Sequence, residues 1–346
     1  MAIAARDELV DPHRLAGWLR AHAPQLAGPF SLRRIGAGQS CLTYLLEGEE
    51  WSAVLRRPPR GELPAGAFDV LREYRIMRAL RSGGARVPVP ETYGACDDPG
   101  VIGAPFCVME HVRGAVVRDT LPAGTTDARL RELGRSMIET LAAIHETPVA
   151  EVGLGELGRP EGFLERQLRR MQMQWERIRA RKVPELDELG RWLADHLPSH
   201  GASSLVHGDY KLDNLIVGLP ASGEVCAVID WELSTRADPL IDLGWWLYFW
   251  LDPGEEPFAI PVASITDAPA LPRRAELIER YAATTGRAVD GISWYVGFGG
   301  WKITIIMETS YQRFLAGIAD HPTFAALDEG VPMMAQRALA LARERA

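Results

Sequence analysis

No two cysteines of this 346-residue sequence are placed to work as a pair. The four thiols, Cys41, Cys96, Cys107 and Cys226, form no CxxC spacing. A chain this long buries enough surface to do without disulfide staples, so they read as reduced thiols of a cytoplasmic protein. Long apolar runs are also missing. The most hydrophobic stretch, LGWWLYFWL at 243–251, falls far short of the roughly 20 residues a membrane helix needs. It reads as a buried helix, and no membrane partner is expected. The opening MAIAARDELVDPHRL has no apolar h-region and does not read as a signal peptide. Basic charge is in deficit, with 38 Lys and Arg against 46 Asp and Glu for a formal net charge of -8. Apart from the local stretch LRRPPR at 55–60, nothing resembles the clustered basic footprint of a nucleic-acid binder. There is no internal repeat, no low-complexity tract and no G-x-x-x-x-G-K-[ST] phosphate loop.

What remains is ordinary globular composition, 47% hydrophobic and 24% charged. Asp11-Pro12 opens a first helix, with Asp11 as N-cap and Pro12 in the first turn. Three strand-like runs follow at 30–36, 41–48 and 51–56, separated by Gly and Glu turns that predict an antiparallel meander. Residues 67–82 have helical spacing and put Glu73, Met77 and Leu80 on one face, so a carboxylate joins an inward-looking apolar stripe. After a further strand at 105–112, the chain is mainly helical: 126–146, 161–182, 185–197, 239–251, 272–285, 289–317 and 323–345. Two strand-like runs interrupt it, LVH…LIV and EVCAVID. The boundaries implied are a β-rich segment over 1–110 and a helical one over 111–346.

Between the apolar ends of LVHGDYKLDNLIV (205–217) lie His207, Asp209, Lys211, Asp213 and Asn214. Ionisable groups so close to buried strands are costly unless paired or metal-bound. Asp230 closes the apolar run VCAVID sixteen residues after Asn214, where a strand-end side chain is free to face a cleft. An amide oxygen and a carboxylate are hard ligands suited to Mg²⁺, and Asp209 on the preceding loop is placed to accept a proton. A base aspartate followed by an asparagine and an aspartate on magnesium is the set of parts used in phosphoryl transfer. Each residue alone is also a good turn former; the ordered set is what speaks for chemistry. The resemblance of GDYKLDN to the GDxxD of metallophosphoesterases fails, because the spacing is one residue too long and no GNH follows.

H-G-D-x-x-x-x-N followed by I-D resembles the aminoglycoside phosphotransferase and choline kinase-like family, a branch of the protein-kinase-like fold. LRRPP, REYRIMRAL, ERQLRRMQMQW and WYVGFGGWKI resemble the subgroup related to the kinase domain of acyl-CoA-dehydrogenase fusion proteins. The resemblance runs from about Ile35 to Leu315 with the motifs in order. It implies an α+β, bilobal protein-kinase-like fold: a small antiparallel β-sheet N-lobe that binds nucleotide, and a larger helical C-lobe. The implied activity is phosphoryl transfer from ATP or GTP, with Mg²⁺, to a hydroxyl of a small molecule.

By the same resemblance, Asp209 is the catalytic base and Lys211 faces the transferred phosphate. Asn214 and Asp230 are the metal ligands. His207 and Asp242 brace the loop, with Asp238 structural and His145 a satisfied core histidine. Gly36, Gly38, Gln39 and Ser40 in the turn IGAGQS approach the phosphates. Arg56 stands where kinases carry their strand lysine, Glu73 pairs with it, and Glu110 and Val112 take the positions of the adenine-binding hinge. Arg57 is expected on the opposite strand face, in solvent, and Asp213 is expected to be solvated. Helices 161–182 and 289–317, with Trp301, Lys302, Glu308 and Tyr311, would build the acceptor pocket. The cationic stretch 166–182 suits an anionic acceptor such as an acyl-CoA-linked hydroxy acid. Arginine in place of lysine and the incomplete glycine turn leave a nucleotide-binding regulator without transfer activity as the alternative.

Overall fold

A computed structural model of the chain describes residues 9–36, 41–60, 69–118, 120–199, 203–258, 268–319 and 322–344. These fall into two compact units. The first is Met1–Arg113 with Ala150–Leu154 and Cys226–Glu232; the second is Gly114–Val149, Gly155–Val225 and Leu233–Ala346.

In the first unit, helix α1 (Pro12–His22) starts where Asp11 accepts the amides of His13 and Arg14. Strands β1 (Ser31–Ile35), β2 (Leu42–Glu47) and β3 (Ser52–Arg57) make the expected antiparallel meander. Helix α2 (Val70–Ser82), strand β4 (Thr92–Cys96), the single turn α3 (Pro99–Ile102) and strand β5 (Phe106–Glu110) follow, and the sheet order is β1-β2-β3-β5-β4. Period-two alternation gives the sheet two buried faces. Tyr44, Leu46, Ala53, Leu55, Phe106 and Val108 meet Leu15, Trp18 and Leu19 of α1. The opposite face carries Arg56 towards Glu73 of α2. Strand β4 and turn α3 do not stand out in the sequence. Gly94 in the middle of β4 lowers its strand propensity, and its reason is packing: a Cβ there would lie 2.7 Å from the Trp18 ring.

The expectation for Arg57 is overturned. Its strand face is covered rather than open, leaving the residue 3% exposed. Its guanidinium donates to the carbonyls of Leu9, Ile102 and Pro58, tying β3 to the chain before α1 and to α3. Arg57 is a buried staple because carbonyl oxygens satisfy its donors.

The second unit contains helices α4 (Asp127–His145), α5 (Phe163–Ile178) and α6 (Pro184–Asp195), then short strands β6 (Ser204–Val206) and β7 (Leu215–Val217). Strand β8 (Val225–Val228) leads into the returning segment of the first unit, and β9 (Thr235–Ala237), unforeseen at three residues, pairs antiparallel with β6. Helices α7 (Leu240–Phe249), α8 (Arg274–Thr285), α9 (Ile292–Leu315) and α10 (Leu327–Arg343) complete it, the last behind a 3-10 turn over Pro322–Ala326. Every residue of α7 except Ile241 is buried, as a helix apolar on all sides must be. Small residues bring its neighbours close. A Cβ on Gly244 would lie 2.5 Å from Tyr295 of α9, and one on Gly300 would lie 2.6 Å from Ala338 of α10. Among the described residues, no helix is long and apolar enough to cross a membrane.

Candidate active site

The loop from β6 to β7 carries the polar cluster of the second unit, and α7 holds it by its backbone. Asp242 is fully buried and accepts the amides of His207 at 2.6 Å and Gly208 at 2.7 Å. Nε2 of His145 lies 3.3 Å from the same carboxylate, and Nδ1 of that ring lies 2.7 Å from the Tyr281 hydroxyl. Burial pushes the Asp242 carboxyl up, but the bond and charge of His145 and the His207 amide outweigh it and hold the group below its ordinary range. His207 turns its Nδ1 to accept the Asp209 amide, so it shapes the loop, as expected. Gly208 has φ +85°, and a Cβ there would meet the Leu233 carbonyl at 2.6 Å, so only glycine fits. Tyr210 anchors the turn through its hydroxyl to the Met137 carbonyl at 2.6 Å.

Asp209 is thereby presented with both oxygens oriented. Oδ2 accepts Lys211 Nζ at 2.6 Å and Asn214 Nδ2 at 2.7 Å, while Oδ1 accepts Trp245 Nε1 at 2.8 Å. Oδ1 keeps a second lone pair for a further donor. Lys211 and Asn214 are therefore brought onto Asp209, and the amide nitrogen of Asn214 is used there, leaving its oxygen as the available ligand atom. Lys302 of α9 places its ammonium over the Trp245 ring, 4.8 Å from the centroid. Asp213 is half-buried rather than solvated, and burial raises its carboxyl above the ordinary range despite Lys211 Nζ at 3.7 Å. Trp245 is the residue that sequence reasoning missed. It lies in an all-apolar run where nothing distinguishes it from its core neighbour Trp246.

Of the four α9 residues assigned to an acceptor pocket, three serve the fold. Trp301 donates to the Leu186 carbonyl, Glu308 takes a two-pronged contact from Arg181, and Tyr311 donates to Asp328. Only Lys302 faces the Asp209 cluster. Two cations of the segment that begins with α5 are similarly occupied, Arg179 by Asp187 and Arg181 by Glu308 and Asp328.

The first unit carries a second cluster. Arg56 donates to Glu73 Oε1 at 2.8 Å and to Asp230 Oδ1 at 3.1 Å. Glu73 Oε1 also accepts the Asp230 amide at 3.2 Å. Burial opposes the charge on Arg56, but Glu73 and then Asp230 override it and strengthen the guanidinium. Burial conversely pushes the Glu73 carboxyl up. Asp230 has φ +68°, and it is the one non-glycine residue with positive φ among the described residues. Aspartate tolerates that left-handed conformation better than most residues, at a cost of order 1–3 kcal/mol. Two carboxylates share one guanidinium, which leaves one negative charge unbalanced and Asp230 Oδ2 available. A hard oxygen beside surplus negative charge fits a divalent cation. The described residues hold no group of three or more His, Cys, Asp or Glu able to cage a metal.

Gly36 takes φ +77° with open space around it. Gly38, Gln39 and Ser40 lie outside the described residues. Glu110 ends β5, with its amide donating to the Glu91 carbonyl and its carboxylate accepting the Glu91 amide. Val112 follows two residues later, half-buried.

The phosphotransferase enzyme family (APH) matches this chain over residues 31–277. The chain belongs to that family. Its relatives include acyl-CoA dehydrogenase family member 11 of Gallus gallus, 34% identical over 326 residues that cover 92% of this chain and 41% of the relative. The chain thus spans less than half the length of the curated relatives it matches. Among solved structures, a putative aminoglycoside phosphotransferase from Ralstonia eutropha superposes with TM-score 0.81 at 32% identity, covering 96% of this chain and 98% of that one. A thermostable mutant of aminoglycoside phosphotransferase APH(4)-Ia, solved with AMP-PNP and hygromycin B, shares the fold. Its TM-score is 0.60 at 18% identity, over 95% of this chain and 97% of that one. Members of the family have the protein-kinase-like fold, and the α+β architecture here is of that kind.

Proposed function

We propose that this family member transfers the terminal phosphoryl group of a nucleoside triphosphate, ATP or GTP, to a hydroxyl of a small molecule. The observation that carries the reading is Asp209, a carboxylate fixed by three donors on a backbone-gripped loop with one Oδ1 lone pair open. The acceptor hydroxyl donates to that lone pair. As its oxygen bonds to the γ-phosphorus, the bond from γ-phosphorus to the bridging oxygen breaks, the nucleoside diphosphate leaves, and Asp209 takes the proton. Lys211 and Arg56 neutralise charge on the phosphates, and Glu73 holds Arg56 in place. Gly36 approaches the phosphates, and Glu110 and Val112 take the base. Asp230 Oδ2 in the first unit and the Asn214 amide oxygen in the second are each a hard oxygen that would serve as a Mg²⁺ ligand. The metal supplies charge neutralisation on the phosphate oxygens when bound.

Slow ATP hydrolysis, with water as acceptor, tests this without a known substrate. Asp209→Asn is expected to lower turnover roughly 10²- to 10⁴-fold, the usual range for a general base, with retained binding of a fluorescent ATP analogue. Asp230→Ala should abolish the Mg²⁺ dependence of that binding. Turnover in Asp209→Asn equal to wild type would remove the assignment.

A further inference from the structure

Among the described residues, Lys302 is a cation without a counter-ion. Two carboxylates pull on it most strongly, Asp209 and Asp242, and both are committed elsewhere. Asp209 accepts Trp245, Lys211 and Asn214, and Asp242 accepts two backbone amides beside His145. Among the described residues, no acidic group lies within ion-pair distance of Lys302, and its one contact of polar character is the face of Trp245. Arg170 of α5 adds a second positive charge to the same space and, with burial and Lys211, disfavours the ammonium, whose pKa is lowered. A half-buried ammonium with only an aromatic face for company loses hydration that nothing fully replaces. The same indole touches both groups: its Nε1 holds the base, and its face carries the ammonium.

We infer that Lys302 is the specificity contact of the acceptor site, taking an anionic oxygen, carboxylate or phosphate, of the molecule whose hydroxyl rests on Asp209. The inference rests on the proposed phosphotransfer and adds the acceptor's charge to it. The site then reads two features across Trp245, a hydroxyl at the indole's edge and a negative charge above its face. It needs no contribution from the cations of the α5 segment already paired within the fold. A polycationic acceptor is disfavoured by the same geometry, because Lys302, Arg170 and Lys211 would repel it.

The test is a panel of matched acceptors of two to six carbons, each presented as a hydroxycarboxylate, its hydroxyamide and its amino alcohol, plus a phosphate-bearing alcohol. ADP release is measured for wild type, Lys302→Met and Lys302→Arg. Wild type should prefer the anionic members, and whether carboxylate or phosphate leads identifies the source of the charge. Lys302→Met should reduce the anionic-to-neutral ratio of kcat/KM by roughly 10- to 100-fold, the loss expected for one hydrogen bond to a charged group. Lys302→Arg should restore much of that ratio. Equal loss on anionic and neutral members in Lys302→Met would show a structural role and overturn the inference. So would wild-type preference for the neutral or cationic members, although phosphotransfer itself would stand. If no acceptor raises ADP release and Asp209→Asn also leaves ATP hydrolysis unchanged, both readings fall together.

Discussion

Replacing Asp242 by Asn removes the charge at the point where α7 grips the β6–β7 loop. The carboxylate accepts three donors: the His207 amide and His145 Nε2 on Oδ2, and the Gly208 amide on Oδ1. An amide keeps one oxygen and turns an NH₂ towards the remaining donor, so at least one N–H loses its partner. A lost bond to a charged group is worth about 1.5–3 kcal/mol, and a buried donor left unsatisfied adds about 1–3 kcal/mol. The expected destabilisation is therefore about 3–5 kcal/mol, a large share of a typical 5–15 kcal/mol total. Urea unfolding followed by tryptophan fluorescence reads it as a fall in midpoint at unchanged slope. The pH dependence has a definite sign. The folded-state pKa of Asp242 is lowered, so its contribution is present above the ordinary carboxylate range and is lost as pH falls through the folded value. The gap between wild type and Asp242→Asn should be full at neutral pH and narrow on acidification. A loss below about 1 kcal/mol at pH 7, or a gap that widens in acid, would refute the reasoning.

Trp245→Phe keeps the ring but removes the donor to Asp209 Oδ1; kcat should fall about 10-fold with the nucleotide KM unchanged, as for a positioning residue. Arg57→Met should cost about 2–4 kcal/mol in thermal unfolding, because the carbonyls it serves lose their donors. Arg57→Lys should recover little, since one ammonium does not span them. Thiol labelling of the native chain should modify Cys226 first. Cys41, Cys96 and Cys107 are buried, and burial pushes the Cys41 thiol up to about 12 and that of Cys107 well above its ordinary value. Fast labelling of Cys41 would contradict that burial.

Legibility followed the length of the signal. Helices with several turns of apolar period, such as α4 and α9, could be read from sequence, as could the meander of alternating strands. The three-residue β9 was not, because three residues carry no period, and β4 was hidden by the glycine that makes room for Trp18. Arg57 was misjudged for a different reason. Its strand face follows from alternation, but what covers that face depends on α1 and α3 arriving from elsewhere in the chain. Within the loop, Asp209 and Asn214 stood out by their spacing and Lys211 by the family resemblance. Their mutual hydrogen bonds, and the indole that completes them, are tertiary facts. The same holds for Lys302, which is one cation among many until its neighbours are known to be engaged.

Asp242 and Trp245 sit three residues apart on α7, so nearly a single turn carries both the clamp on the loop's amides and the donor to its carboxylate. Displacing that helix would drag the backbone and the Asp209 carboxylate along as one piece. The orientation of that carboxylate within its own loop is thus insulated from strain arriving elsewhere, and variation in the surrounding helices could reshape the space beside it without detuning it.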